Sequence, residues 1–261
     1  MTAPIYHLYH SGSHYDRVFG GNGFARDAEV SFYRDLAAQV DDTILELACG
    51  TGRVAIPLAR AGFKVAGIDV AEGMLEEARV KARAEDLDIH LSCEDIRDFN
   101  LNRRFGLIFI PNNSICHVLT REDFADTIAC VRKHLHPQGH FVIDVFVPAP
   151  DLLTDKGDER SPMGEYDAPD GSGHVVVTHS YHYEGHTQIR RITTYHTHED
   201  GHEVAGTLDM RMYFPQELDA LLEANGLQIE HKYGNLDRGP FGEGTGRQLV
   251  VCSLQEASVL G

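Results

Sequence analysis

Thr43-Ile44-Leu45-Glu46-Leu47-Ala48-Cys49-Gly50-Thr51-Gly52-Arg53 is a short apolar strand that ends in a carboxylate and runs straight into a Gly-Thr-Gly turn opening a helix. Gly50 and Gly52 let the backbone bend sharply and approach a ligand where a Cβ would block it. The helix starting near Arg53 turns free N–H groups toward the same space. Such a turn marks a nucleotide-cofactor site. Glu46 bears on which one: a carboxylate here repels a pyrophosphate but suits a cofactor that carries an ammonium group and a sulfonium.

The turn alone leaves two readings open, because Gly50, Gly52 and Ala55 also fit the looser G-x-G-x-x-A fingerprint of a nicotinamide or flavin enzyme. The next segments narrow the choice. The apolar run Phe63 to Ile68 ends at Asp69, 23 residues beyond Glu46, the distance from one strand end through a crossover helix to the next. Asp69 is thus placed to accept both hydroxyls of a ribose. Asp95, in Cys93-Glu94-Asp95-Ile96-Arg97-Asp98-Phe99, follows a strand expected at Ile89 to Ser92. It can take the exocyclic amino group of an adenine, while Ile96 supplies backbone polar groups and an apolar flank.

Together these residues resemble the class I methyltransferases that use S-adenosylmethionine, over roughly residues 40 to 147. Glu46 to Gly52 stand as the glycine motif, Asp69 as the ribose acid and Asp95-Ile96 as the adenine pair. His14-Tyr15-Asp16 and Met74-Leu75 look most like the small-molecule group, such as glycine N-methyltransferases and amino-sugar N,N-dimethyltransferases. The resemblance implies S-adenosylmethionine as cofactor, Tyr15 near its methionine end or the acceptor, and Met74 under the adenosine. Ala48, Arg53, Val70 and Asn112 join the expected cofactor contacts, Arg53 as a solvated helix-start residue contributing its backbone N–H. Ala48 departs from the glycine found in many members.

Strands read at Thr43 to Ala48, Lys64 to Ile68, Ile89 to Ser92, Phe105 to Ile110 and Gly139 to Phe146. They alternate with helices at Arg53 to Ala61, Met74 to Ala84 and Arg121 to Leu135, the pattern of a doubly wound α/β fold. Thr120 and Asp123 form a near capping box for the last of these helices. Residues 151–173, rich in Asp, Gly, Pro and Ser, read as an exposed connector. Runs at Val175 to Tyr183, Gln188 to His198 and Glu203 to Tyr213 then form an antiparallel meander. An amphipathic helix at Pro215 to Asn225 and a strand pair, Gln228 to Tyr233 and Gln248 to Leu254, close the chain. The expected fold is a seven-stranded, mostly parallel sheet whose last strand is antiparallel, as the resemblance implies. Residues 1–147 and 214–261 then form the cofactor-binding unit, and 148–213 an inserted linker and β lid after the fifth strand.

The segment after the fourth strand, Pro111-Asn112-Asn113-Ser114-Ile115-Cys116-His117, faces the cofactor's methionine end in the related enzymes. His117 is a candidate base or acceptor-orienting group, or else a residue packed at a helix start. Tyr15 is the other catalytic candidate. Asn113, Arg211 and Tyr213 are candidate substrate contacts, with Tyr181, Tyr183 and Tyr195 as further residues that could line the lid. His196 and His198, two apart on a strand with His202 close by, share a face but lack a third ligand fixed by spacing, so no metal is expected and the three read as solvated.

At 261 residues and 42% hydrophobic content the chain can build one large core. A net charge of −17 opposes a phosphate backbone, which excludes a nucleic-acid substrate and leaves a small-molecule acceptor. Five scattered cysteines suggest reduced thiols rather than a disulfide framework. No run of about 18 apolar residues exists, and Met1 to His7 lacks the basic and apolar regions of a secretory leader. The expectation is a soluble, cytoplasmic monomer or homodimer with no membrane partner. It methylates nitrogen ahead of oxygen; the alternatives are a nicotinamide-dependent oxidoreductase and a non-catalytic protein that binds S-adenosylmethionine.

Overall fold

The computed structural model describes residues 7–20, 27–154 and 157–255; Met1 to Tyr6, read above for a leader, lie outside them. Helices α1 (Gly12–Gly20) and α2 (Asp27–Ala37) lead into β1 (Ile44–Leu47), α3 (Ala55–Arg60), β2 (Val65–Asp69), α4 (Glu72–Ala84) and β3 (Ile89–Cys93). Strand β4 (Phe105–Ile110), α5 (Arg121–His134) and β5 (Leu135–Phe146) complete the first half. Four strands follow, β6 (Ser161–Asp167), β7 (His174–Glu184), β8 (Ile189–His198) and β9 (Glu203–Arg211), then α6 (Pro215–Ala224), β10 (Leu227–Tyr233) and β11 (Arg247–Leu254).

The main sheet runs β10-β11-β5-β4-β1-β2-β3. Strands β1 to β5 pair in parallel, while β11 runs antiparallel to both β5 and β10, so the last strand is inverted as expected. All six residues of Phe-Gly-Leu-Ile-Phe-Ile in β4 are buried, as a strand covered on both faces requires. Alternation sends Leu45, Leu47 and Ile108 to the face packed by Phe124 and Ile128 of α5 and Leu218 and Leu222 of α6. Ile44, Leu107 and Phe109 go to the opposite face, against Phe32 and Tyr33 of α2 and Leu58 of α3. Each such side chain contributes about 1.5–3 kcal/mol. An exposed pair such as Arg60–Glu85 contributes about 0–1 kcal/mol, so the two apolar layers hold the fold.

The N-terminal segment lies across α4 at close range. A Cβ on Gly73 would come within 2.2 Å of the His10 carbonyl oxygen, and one on Gly12 within 2.5 Å of the Glu77 Cβ. Asp16 accepts a hydrogen bond from the Thr51 hydroxyl at 2.8 Å and pairs with Lys81, which ties α1 to the turn after β1 and to α4.

Strands β6-β7-β8-β9 form a separate antiparallel sheet. It contains one strand more than the sequence reading: Ser161–Asp167 lies in the stretch read as an exposed connector, yet pairs with β7. As an edge strand with Pro162 beside a register shift, it buries Tyr166 and leaves most of its side chains in solvent, so it carries no apolar run. His196, read as solvated, is instead buried beside Tyr166. Among the described residues no helix is long and apolar enough to cross a membrane, and no group of three or more His, Cys, Asp or Glu side chains is arranged to hold a metal ion.

Because Gly73 faces backbone rather than a flexible side chain, Gly73→Ala is expected to push the N-terminal segment off α4. The cost should be about 1–3 kcal/mol, read as a lower urea midpoint; an unchanged midpoint would refute this close packing.

Candidate active site

The order of the main sheet reverses at β1, where the chain passes to β2 and β3 on one side and to β4 and β5 on the other. A crevice opens beyond the carboxyl ends of strands at such a point. It holds a cavity of about 710 Å³, within the range of small-molecule and cofactor sites.

The floor is the turn after β1. Ala48, Gly50 and Gly52 all have positive φ, at 53°, 54° and 79°. The Cys49 amide donates to the Ile68 carbonyl at 2.9 Å, and the Gly50 amide to the Asp69 carboxylate at 2.8 Å, so the turn is fastened to β2. Asp69 also accepts from the Ala71 amide at 2.8 Å, which fixes both its oxygens at the cavity wall. Burial raises its pKa, and the two amides oppose that shift.

Glu46 is 2% exposed and lines the cavity, and its Oε2 has no hydrogen-bond partner. Burial raises its pKa well above the ordinary carboxylate range, partly offset by Arg53. Arg53 also lines the cavity but is not solvated: it is paired with Glu29, a buried carboxylate on α2. The Asp95 carboxylate is held by Arg97, with Nη2–Oδ2 at 2.6 Å and Nε–Oδ1 at 2.9 Å, and Arg97 reaches on to Asp123 at 3.2 Å. That pairing lowers the Asp95 pKa.

On the opposite wall, the His117 ring opens onto the cavity, with the Tyr9 hydroxyl 3.3 Å from its Nε2. Desolvation pushes the imidazole pKa down to about 4, against a hydrogen bond with the Asp209 backbone that favours the charged ring. Tyr15 stands beside Tyr9, ring centroids 5.8 Å apart, and burial raises its phenol pKa.

Tyr15, Glu46, Ala48, Gly50, Arg53 and Asp69 therefore meet around one cavity, together with Val70, Met74, Asp95, Ile96, Asn112 and His117. Four candidates do not reach it. Gly52 shapes the turn, where a Cβ would strike Ile56 at 2.7 Å. The Asn113 side chain accepts from the Phe146 amide at 2.8 Å. Arg211 binds Glu217 at 2.6 Å and the Leu119 carbonyl at 3.3 Å, and the Tyr213 hydroxyl donates to the Val118 carbonyl at 2.6 Å. Both brace Val118 and Leu119, which do line the cavity. Tyr9, Arg97, Arg191 and Asp209 line it without having been read from the sequence.

Residues 44–139 match the family model described as a methyltransferase domain. The chain resembles methyltransferases over that stretch. It is 28% identical over 237 residues to the dTDP-3-amino-3,4,6-trideoxy-alpha-D-glucopyranose N,N-dimethyltransferase of Streptomyces venezuelae, covering 88% of this chain and 93% of that one. A putative methyltransferase of Bacillus subtilis, YqeM, is 36% identical over 103 residues, a match that spans 39% of this chain and only 41% of that relative. In structure, an S-adenosylmethionine-dependent methyltransferase from Clostridium acetobutylicum superposes with a TM-score of 0.77 over 93% of this chain and 96% of that one, at 23% identity, and so shares the fold. These matches favour methyl transfer and give the nicotinamide reading no support.

Two outcomes follow for the floor of the cavity. Ala48 occupies a left-handed position that costs a non-glycine residue about 1–2 kcal/mol, while glycine loses part of that in unfolded-chain entropy. Ala48→Gly should raise unfolding stability by about 0.5–1 kcal/mol in urea titration. Glu46 has its folded pKa raised, so the folded state binds the extra proton and stability falls as pH rises above the ordinary Glu range. Glu46→Gln should flatten the stability–pH curve from the ordinary Glu range, about pH 4.5, upward. The slope that remains belongs to Asp69, also raised, and to Asp144, whose pKa burial pushes up to about 6.

Proposed function

We propose that the protein transfers the methyl group of S-adenosylmethionine to an amine nitrogen of a small-molecule acceptor. The observation that carries this reading is the partnerless Glu46 Oε2, buried in the cavity wall on the same edge as the doubly anchored Asp69 carboxylate. An unpaired buried carboxylate is costly, and an ammonium group is the partner that relieves it. Glu46 would hold the amino group of the cofactor, Asp69 both ribose hydroxyls, and Ile96 with the Asp95–Arg97 pair the adenine edge. Gly50 keeps the floor low, since a Cβ there would meet the Met74 methyl at 3.3 Å, and Met74 and Val70 would flank the adenosine.

When bound, the cofactor would supply an electrophilic methyl group: the acceptor nitrogen's lone pair would form the new C–N bond, sulfur would keep the electron pair of the C–S bond as a neutral thioether, and the proton shed by nitrogen would pass to solvent. The protein's part is to hold nitrogen and methyl in line, which is worth about 7–11 kcal/mol when the geometry is right. His117, whose pKa desolvation lowers, offers the cavity a ring nitrogen suited to accept a hydrogen bond from an amine N–H. That favours nitrogen over oxygen, as does the N,N-dimethyltransferase named among the relatives. Tyr9 and Tyr15 close the methionine end. Residues 148–213 act as the lid over the unit formed by 1–147 and 214–261, with Arg211 and Tyr213 positioning the 118–119 wall rather than touching substrate.

Isothermal titration should show saturable binding of S-adenosylmethionine and S-adenosylhomocysteine. Asp69→Ala removes two hydroxyl contacts to a charged group, about 3 kcal/mol, and should weaken both ligands about 100-fold. Unchanged binding by this variant would sink the proposal. In the wild type, kcat/KM should show no limb near pH 6.5 from an imidazole, and His117→Ala should lower kcat about 10²-fold with little change in cofactor affinity.

A further inference from the structure

The cavity is lined by five carboxylates, Glu46, Asp69, Asp95, Asp123 and Asp209, against three guanidiniums, Arg53, Arg97 and Arg191. Each guanidinium is already committed. Arg53 is paired with buried Glu29, Arg97 is held between Asp95 and Asp123, and Arg191 makes a two-pronged pair with Asp209, Nε–Oδ1 and Nη2–Oδ2 both at 2.8 Å. The last pair is set by the register of the second sheet, where Arg191 on β8 stands directly opposite Asp209 on β9. Recruiting any of these cations to an anionic ligand would leave its carboxylate without a counter-charge in a wall that is already net negative; Arg191 is more than half exposed, so its hold on Asp209 comes from the two-pronged geometry rather than from burial. The cofactor changes this little: its ammonium and sulfonium are offset by its own carboxylate, which leaves a single positive charge to set against the surplus.

We infer that the acceptor is an amine free of phosphate, neutral or cationic, and that the Arg191–Asp209 pair is the charge lock that keeps diphosphate-linked molecules out of the cavity. The inference rests on the methyltransferase reading and adds the class of acceptor to it. It separates this chain from the relative whose name specifies a dTDP-linked amino sugar. Among the described residues lining the cavity no lysine is present and no arginine lacks a carboxylate partner, so a diphosphate group finds no ready counter-charge. An amine finds carboxylates and an imidazole nitrogen.

The test is titration calorimetry of the protein loaded with S-adenosylhomocysteine, using thymidine 5′-diphosphate as the probe. Wild type is expected to give no saturable heat at millimolar probe, and Asp209→Asn, which frees Arg191, to gain affinity at least about tenfold. Arg191→Gln with Asp209→Asn together should abolish that gain, which shows that the freed guanidinium carries it. Micromolar binding of the diphosphate by wild type overturns the inference, and absence of any gain in Asp209→Asn overturns the lock. Failure of S-adenosylhomocysteine itself to bind in the loading step would instead refute the methyltransferase reading.

Discussion

The hydrogen bond from the Gly50 amide to the Asp69 carboxylate is the joint on which the site depends. It forms because the turn after β1 holds Ala48, Gly50 and Gly52 at positive φ, which bends the chain back over the end of β2. The fit leaves no slack: a Cβ on Gly67, the β2 partner of Glu46, would lie 2.7 Å from the Cys49 sulfur. One carboxylate thereby orders the floor of the cavity, and the same floor fixes that carboxylate. Asp69 can then face a ligand without reorganising, the state in which an acceptor contributes most to binding.

Beneath this floor lies a polar cluster that works against stability. The Tyr33 hydroxyl, Glu46 Oε2 and Asp144 Oδ1 are buried with no hydrogen-bond partner. Burial raises all three pKa values, and the nearby carboxylates add to the rise for Tyr33. Arg247, 3.0 Å from Asp144, and Arg53 offset part of the charge. Buried polar groups elsewhere in folded proteins are nearly all satisfied. A concentration of unsatisfied ones under a cavity is the arrangement of a site, where stability is given up for a field that meets a charged ligand.

What was legible in the sequence follows from which forces act locally. The β1 turn could be read because its backbone demands specific residues, and the parallel strands because a strand buried on both faces must be apolar along its length. Strand β6 could not, since an edge strand with one buried tyrosine resembles a loop. His117 and Asn112 were found by position after β4, but Asn113 turned away to hold the Phe146 amide. Arg211 shares strand parity with Thr207 and Asp209, both at the cavity; being two residues further on, it is captured by Glu217 and Leu119. Arg97 escaped notice because its role comes from a tight turn in which its own amide bonds Asp95 at 2.9 Å and brings the guanidinium back onto the same carboxylate. Arg191 needed the β8–β9 register, which no local pattern encodes.

The acceptor side of the cavity is assembled from pieces far apart in the chain, and the strengths of their joints differ. The N-terminal segment is tied to the cofactor floor by Asp16, which binds both Thr51 and the Lys81 ammonium. Toward the second sheet and the His117 wall it is joined by side-chain hydrogen bonds, His14 to Tyr166 at 3.1 Å and Tyr9 to His117 at 3.3 Å. A neutral bond contributes about 0.5–1.5 kcal/mol and a charge-assisted one about 1.5–3 kcal/mol. The charge-assisted bond of Asp16 to Lys81 therefore makes the turn and α4 the firm anchor of this segment.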